Sequence, residues 1–457
     1  MNKALLAAAL AVAAAAGLAV ALVLSSRGGG TSGAPASSQA STAPTTTATS
    51  PLPTTTPPGS SEPAQTETTL TIAPSATIPV DTRSVRIPPP PSPKSPRRRT
   101  LLVGVFDDAL AQQNPGVARA YADISRDAGF NAAMVSATWS RGQRRPPAHL
   151  ASVLRHVSAT AQRAHLELFV LVWHGLARET PRTPAERADF SAFAAATVKA
   201  LPNVRHVVVG NEPNLDTFWK PQFGATGFDL AASGYEDLLA RSYDAIKAVD
   251  RDVRVIGGSL SPRGADRPHG TRLTHSPTSF IRDLGAAYRA SGRKKPLLDA
   301  FAVHPYMEAS RFPPTTRHPK NTSITIADYP KLVALLNEAF KGTDQRGATL
   351  PIYYTEFGVQ TRVPLRKLSA YDDSASPGRS DSVTFARQAD YYRTALELAY
   401  CQPTVRGLFL FHTFDESDFA GWQSGLYFAD GTPKPSLPVF KKTVADLRNG
   451  RFPTCSR

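Results

Sequence analysis

The chain has 457 residues, 41% of them apolar, with 40 prolines and a formal net charge of +15. No basic stripe interleaved with aromatics is present, which argues against nucleic acid as a partner. Neither of the two cysteines has a Cys or His at ligand spacing, so no metal site is expected. Eight of the 52 Lys and Arg and three of the 37 Asp and Glu fall in residues 1–100, so most of the positive excess lies beyond residue 100. Such a surface is solvated and favours anionic neighbours, such as a cell envelope or an acidic polysaccharide.

Met1-Asn2-Lys3 opens a targeting segment. Ala4 to Leu24 is an unbroken apolar run, close to the roughly 20 residues that span a bilayer. A cleavable signal peptide has a shorter apolar core and a small-residue cleavage site. Residues 1–27 are therefore read as an uncleaved signal-anchor in preference to a signal peptide, with Lys3 inside and the bulk of the chain outside. Either reading implies export, giving an extracellular or cell-surface protein. In that compartment Cys401 and Cys455 are expected to pair, stapling the tail to the domain. Residues 28–99 are mostly Ser, Thr, Pro, Ala and Gly, with Pro88-Pro89-Pro90-Pro91 near the end. This composition cannot bury a core and reads as a disordered, extended spacer.

From residue 100 the pattern becomes strand, helix, strand, helix. Short apolar runs at Leu101–Val105, Phe130–Val135, Leu166–Val172, Val204–Val209, Val253–Ile256, Leu298–Val303, Ile352–Thr355 and Val405–Phe411 each precede a helical pattern. The fourth helix is expected over Tyr235–Val249 with Ser233 as its N-cap. Eight strand–helix units predict a (β/α)8 TIM barrel over 100–457, with each strand buried on both faces. An open doubly wound sheet is disfavoured, because Gly104-Val105-Phe106-Asp107 is no phosphate-binding turn.

Two of these strands end on a lone glutamate. Val207-Val208-Val209-Gly210-Asn211-Glu212-Pro213-Asn214 must stop at its proline, and Pro351-Ile352-Tyr353-Tyr354-Thr355-Glu356-Phe357-Gly358 is a second apolar strand with one glutamate at its end. In a barrel all strand C-termini open on one face. That face would collect Phe106, Asp107, Trp139, Trp173, His174, Asn211, Glu212, Ser259, His304, Tyr306, Glu356 and His412. Carboxylates, imidazoles and aromatic rings together suit a sugar, which offers hydroxyls to polar groups and C–H faces to rings. Strands four and seven lie across the barrel from each other, so Glu212 and Glu356 are expected to flank a glycosidic bond. Asp415, Glu416 and Asp418 are read as a solvated loop, and Trp139 and Trp219 as the weakest sugar-platform candidates.

Gly210-Asn211-Glu212-Pro213, His304-Pro305-Tyr306 and Thr355-Glu356-Phe357-Gly358 resemble the clan A glycoside hydrolases, in particular the cellulase-like family 5 and the xylosidase-like family 39. The resemblance implies a retaining enzyme without cofactor. In it Glu212 is the general acid/base, Glu356 the nucleophile and Asn211 a ligand of the sugar 2-hydroxyl. Tyr306 would orient Glu356, and His304 would line the pocket. Relatives carry a Trp at the end of strand eight. Here Phe411-His412 stands there, and Trp422 in the next loop is expected to supply the platform. Trp173, His174 and His412 complete the expected substrate contacts of a monomer acting on a carbohydrate. The alternative is a non-catalytic carbohydrate-binding barrel of the envelope, which would have no need of both glutamates.

Overall fold

A computed structural model describes residues 101–457, apart from 202, 226, 268–272, 373–380, 453, 454, 456 and 457. The apolar run Ala4–Leu24 and the spacer 28–99 lie outside the described residues. Among the described residues no helix is long and apolar enough to cross a membrane.

Eight parallel strands close into a barrel in chain order. They are β1 (Leu102–Phe106), β2 (Ala132–Thr138), β3 (Glu167–Trp173), β4 (His206–Val209), β5 (Arg254–Leu260), β6 (Ala300–Val303), β7 (Ile352–Phe357) and β8 (Val405–Phe411). Each is followed by a helix: α1 (Pro115–Ala128), α2 (Ala148–Arg163), α3 (Pro184–Ala200), α4 (Leu230–Val249), α5 (Pro277–Ala290), α6 (Tyr329–Phe340), α7 (Phe385–Cys401) and α8 (Leu437–Arg448). The predicted (β/α)8 barrel is thus the observed fold.

Alternation along the strands sorts their side chains into two cores. Phe169 and Leu171 of β3, Val208 of β4, Ile256 of β5, Tyr353 of β7 and Phe409 of β8 fill the barrel. Their neighbours Val170, Val207, Val209, Val255, Tyr354 and Leu408 face outward and pack with the helices. Both faces of the strands are dry, so their sequences read as continuous apolar runs.

The helix starts are set locally. Thr183 forms a capping box with Glu186 at the head of α3. Helix α4 begins earlier than expected. Its N-cap is Asp229, which accepts a hydrogen bond from Ala232 N, and Ser233 lies inside the first turn. Gly234, a poor helix former, sits inside α4 because a Cβ there would stand 3.0 Å from the Trp219 ring.

Asp415, read as solvated, is buried. Its side chain and that of Lys434 are both 0% exposed, 2.6 Å apart. Lys434 Nζ also donates to Thr361 Oγ1 and to the Gln423 carbonyl, and Tyr371 OH donates to Asp415 Oδ2. The pair therefore joins the loops after β7 and β8 to the segment entering α8. The charge on Lys434, 19 residues along the chain, is what allows Asp415 to be buried. Glu416 is buried too, and only Asp418 keeps partial exposure. Cys401, at the end of α7, and Cys455 form a disulfide that holds the tail.

Removing one member of a buried pair strands the other, at a cost of about 3–5 kcal/mol. Lys434→Met is expected to lower Tm by on the order of 10 °C in a thermal melt, while Lys434→Met combined with Asp415→Leu recovers part of the loss. An unchanged Tm in the single variant would contradict the clamp.

Candidate active site

The site forms where β4, β5, β6 and β7 end. Past Val209 the chain turns through Gly210, whose φ is +78°. A Cβ there would stand 2.9 Å from the Tyr235 ring, so glycine is required for both reasons. Tyr235, from α4, donates to the Val209 carbonyl and accepts from Gly258 N, both at 2.7 Å. One hydroxyl thus ties β4 to β5 just below the site. Glu212 comes next but one, at φ +38°, and its N–H donates to the carbonyl of Ser259, a residue itself at φ +47°. Non-glycine residues rarely adopt these angles, and such strain persists only where the surroundings enforce it. His412, at the end of β8, is a third case at φ +72°.

Glu356 reaches the same place by an irregularity. Between the pairs Tyr354↔Leu408 and Phe357↔Leu410, β7 sets two residues, Thr355 and Glu356, against one on β8. This bulge shifts the parity of the strand. Phe357 joins the outer core, and Glu356 faces the barrel mouth, where Tyr306 OH donates to its Oε2 at 3.2 Å.

His304 joins the two carboxylates. Its Nδ1 lies 3.1 Å from Glu212 Oε1 and 3.5 Å from Glu356 Oε2. The imidazole is 1% exposed, Glu212 2% and Glu356 6%. These four groups, Glu212, His304, Tyr306 and Glu356, are brought into one buried constellation by contacts between residues 92 and 50 apart along the chain.

No family profile and no curated protein matches this sequence. Solved structures do. One is a family 39 glycoside hydrolase from the gut symbiont Bacteroides cellulosilyticus WH2, 18% identical, with a TM-score of 0.54 over 77% of this chain and 65% of that one. The chain therefore spans less than two-thirds of that structure. Another is a family 5, subfamily 18 glycoside hydrolase from Streptomyces cattleya in complex with GlcNAc, 16% identical, with a TM-score of 0.52 over 79% of this chain and 83% of that one. This chain has the barrel fold of those glycoside hydrolases.

The remaining expected residues divide. Trp422 lies beside Tyr306, ring centroids 4.9 Å apart, and edge-on to Phe411 at 5.6 Å. His412 stacks on Phe411 at 3.9 Å. Trp173 belongs to the same inner cluster and packs near Phe218. Trp139 does not reach the mouth. It is fully buried in the outer core against Phe190, with its indole N–H on the Gln143 carbonyl. Trp219 is likewise outer core, packed on Tyr235. Asp107 is a structural clamp, accepting from Ala109 N and Thr413 N.

Two acids at the mouth escape recognition in the sequence. Asp108, after β1, accepts from Ser136 N at 2.6 Å, and burial pushes its carboxyl up. Glu416 accepts from Trp422 N, its Oε1 lies 3.8 Å from His412 Nδ1, and burial pushes its pKa up as well. Their positions shortly after β1 and β8 are the only signal the sequence offers. Several buried polar atoms at strand ends have no hydrogen-bond partner among the described residues: Trp173 Nε1, His174 Nδ1, Asn211 Oδ1, Ser259 Oγ and Glu416 Oε1. Buried polar groups are nearly always paired, and a polyhydroxylated ligand would pair them.

His174 sits edge-on to Trp219, and burial pushes its pKa down to about 4 from an ordinary 6.5. The folded protein holds this imidazole neutral while the unfolded chain protonates it first. Stability from this group is therefore present above about pH 6.5 and lost as pH falls towards about 4. In His174→Gln the fall of Tm across that window is expected to flatten. A profile as steep as wild type would show that His174 is not held neutral.

Proposed function

We propose that this chain is a retaining glycoside hydrolase acting on a carbohydrate, with Glu212 as general acid/base and Glu356 as nucleophile. The observation that carries the reading is the single imidazole nitrogen 3.1 Å from one carboxylate and 3.5 Å from the other. The sum of those contacts is an upper bound on the distance between the two facing oxygens. It falls near the lower edge of the roughly 6.5–9.5 Å that an inverting enzyme needs for its water, and a retaining enzyme needs about 5–5.5 Å.

Glu212 gives its proton to the leaving-group oxygen while Glu356 attacks the anomeric carbon, forming a glycosyl-enzyme ester. Glu212 then takes a proton from the water that attacks the ester, and the sugar leaves with its configuration retained. Tyr306 occupies one oxygen of Glu356 and so fixes the direction of the other. His304 holds the relative position of the two acids, which matters because a misplacement of about 1 Å can cost a hundredfold in rate. Trp422 offers a ring face to the sugar, and Asn211 Oδ1 a buried acceptor to one of its hydroxyls.

We also place the enzyme outside the cytoplasm, tethered or secreted. The Cys401–Cys455 disulfide and the apolar run Ala4–Leu24 support this.

Glu356→Gln is expected to abolish turnover of aryl glycosides. Glu212→Gln should lose about 10²–10⁴-fold on a substrate with a poor leaving group and much less on an activated one, because only the former needs the proton. Steady-state rates on a matched pair of aryl glycosides check this. Full activity in Glu356→Gln would sink the assignment.

A further inference from the structure

Away from the barrel mouth, three ligand-type side chains meet between the loop after β4 and the start of α5. They are Asp229, His275 and Asp283, and one donor atom from each lies within 4.8 Å of the others. Asp229 and His275 side chains are only 3% and 4% exposed, and Asp283 is partly exposed. Asp229 uses Oδ1 to cap α4. Its Oδ2 is buried without a hydrogen-bond partner among the described residues.

The imidazole explains why this is unusual. His275 Nε2 faces the Gln222 carbonyl at 3.2 Å, so it is the nitrogen that carries the proton. Nδ1 then presents a lone pair to Asp229 Oδ2 at 3.3 Å. Asp283 adds a second carboxylate, and Asp266 contributes further negative charge while both its oxygens are spent on Ser276. Among the described residues no Lys or Arg forms a salt bridge with Asp229, whose ionic partner is His275. With Nδ1 an acceptor, it and two carboxylates converge on one point, which is unfavourable unless a cation or a shared proton sits there.

We propose that Asp229, His275 and Asp283 bind a divalent metal ion, with zinc the best match. One imidazole and two carboxylates form a donor set that zinc accepts, whereas calcium and magnesium prefer oxygen alone. The 3.3 Å between Nδ1 and Oδ2 is the edge of a tetrahedron around a metal about 2.0–2.1 Å from each ligand. Asp283, whose donor atom already lies within 4.8 Å of the other two, would close the site, with water in the fourth position. The Gln222 carbonyl on Nε2 is the partner that metal-bound histidines usually have.

The site is structural. His275 N donates to the Asn214 carbonyl at 2.9 Å, and Gln222 Nε2 to that of Pro213. The metal would thus fasten the segment directly after Glu212 to the head of α5. None of this is visible in the sequence, where the three ligands are separated by 46 and eight positions and share no motif.

The test uses the untagged full chain, dialysed against chelator and then against zinc chloride, calcium chloride or magnesium chloride alone. About one zinc per chain should remain by elemental mass spectrometry, with Tm raised on the order of 5 °C. Both effects should be lost in His275→Gln and in Asp283→Asn, the second at a partly exposed helix position. No retained zinc and no Tm response in wild type would overturn the proposal. So would an undiminished response in Asp283→Asn, or stabilisation by calcium or magnesium with zinc inert. A zinc-insensitive Tm that rises as pH falls would overturn it in favour of a shared proton.

Discussion

The direction in which one strand residue faces decides whether this barrel has a two-carboxylate site. Along β7, Tyr353 points into the barrel and Tyr354 out of it. Strict alternation would send Glu356 out towards the helices, where a carboxylate has no partner and a large desolvation cost. The extra residue in β7 reverses the parity. It places Phe357 against Tyr392 in the outer core and leaves Glu356 within reach of Tyr306 and His304. The bulge and the acid thus depend on each other.

The opposite wall is built by a different device with the same effect. β4 has only four residues, and the chain beyond it is held at positive φ at Gly210 and Glu212. Tyr235 fastens this wall from α4 by bonding both β4 and β5. The loops after β7 and β8 are fixed by Lys434 and Asp415, which lets Glu416 and Trp422 stand at the mouth without floating. Preorganisation here comes from buried polar contacts laid over an apolar barrel. The loop after β4 would gain a further tie if Asp229, His275 and Asp283 hold an ion.

Much of this is legible in the chain. Runs such as Val207-Val208-Val209 announce strands buried on both faces, and their spacing by helical patterns leaves few folds other than a barrel. The starts of α3 and α6 are marked by Pro184 and Tyr329-Pro330 at their heads. Glu212, Glu356, His304 and Tyr306 can be named because strand ends share one face. What stays hidden depends on distant partners. Asp415 reads as solvated because Lys434 is not its neighbour in sequence. The start of α4 is misplaced because the Trp219 ring, which excludes a side chain at Gly234, comes from the loop 15 residues earlier. Trp139 and Trp219 read as candidate platforms because composition does not say whether a ring beyond a strand end faces the barrel mouth or the helices. The bulge in β7 leaves no mark in the sequence beyond the glutamate it serves.

The claim that Glu356 attacks the sugar is tested most directly by trapping it. The protein is incubated with a panel of 2-deoxy-2-fluoro glycosides carrying activated leaving groups, and its intact mass and peptide masses are measured. A stable adduct of one fluorosugar per chain is expected, located on Glu356 and missing in Glu356→Gln. An adduct on another carboxylate, or turnover of the matching substrate with inverted configuration, would contradict it.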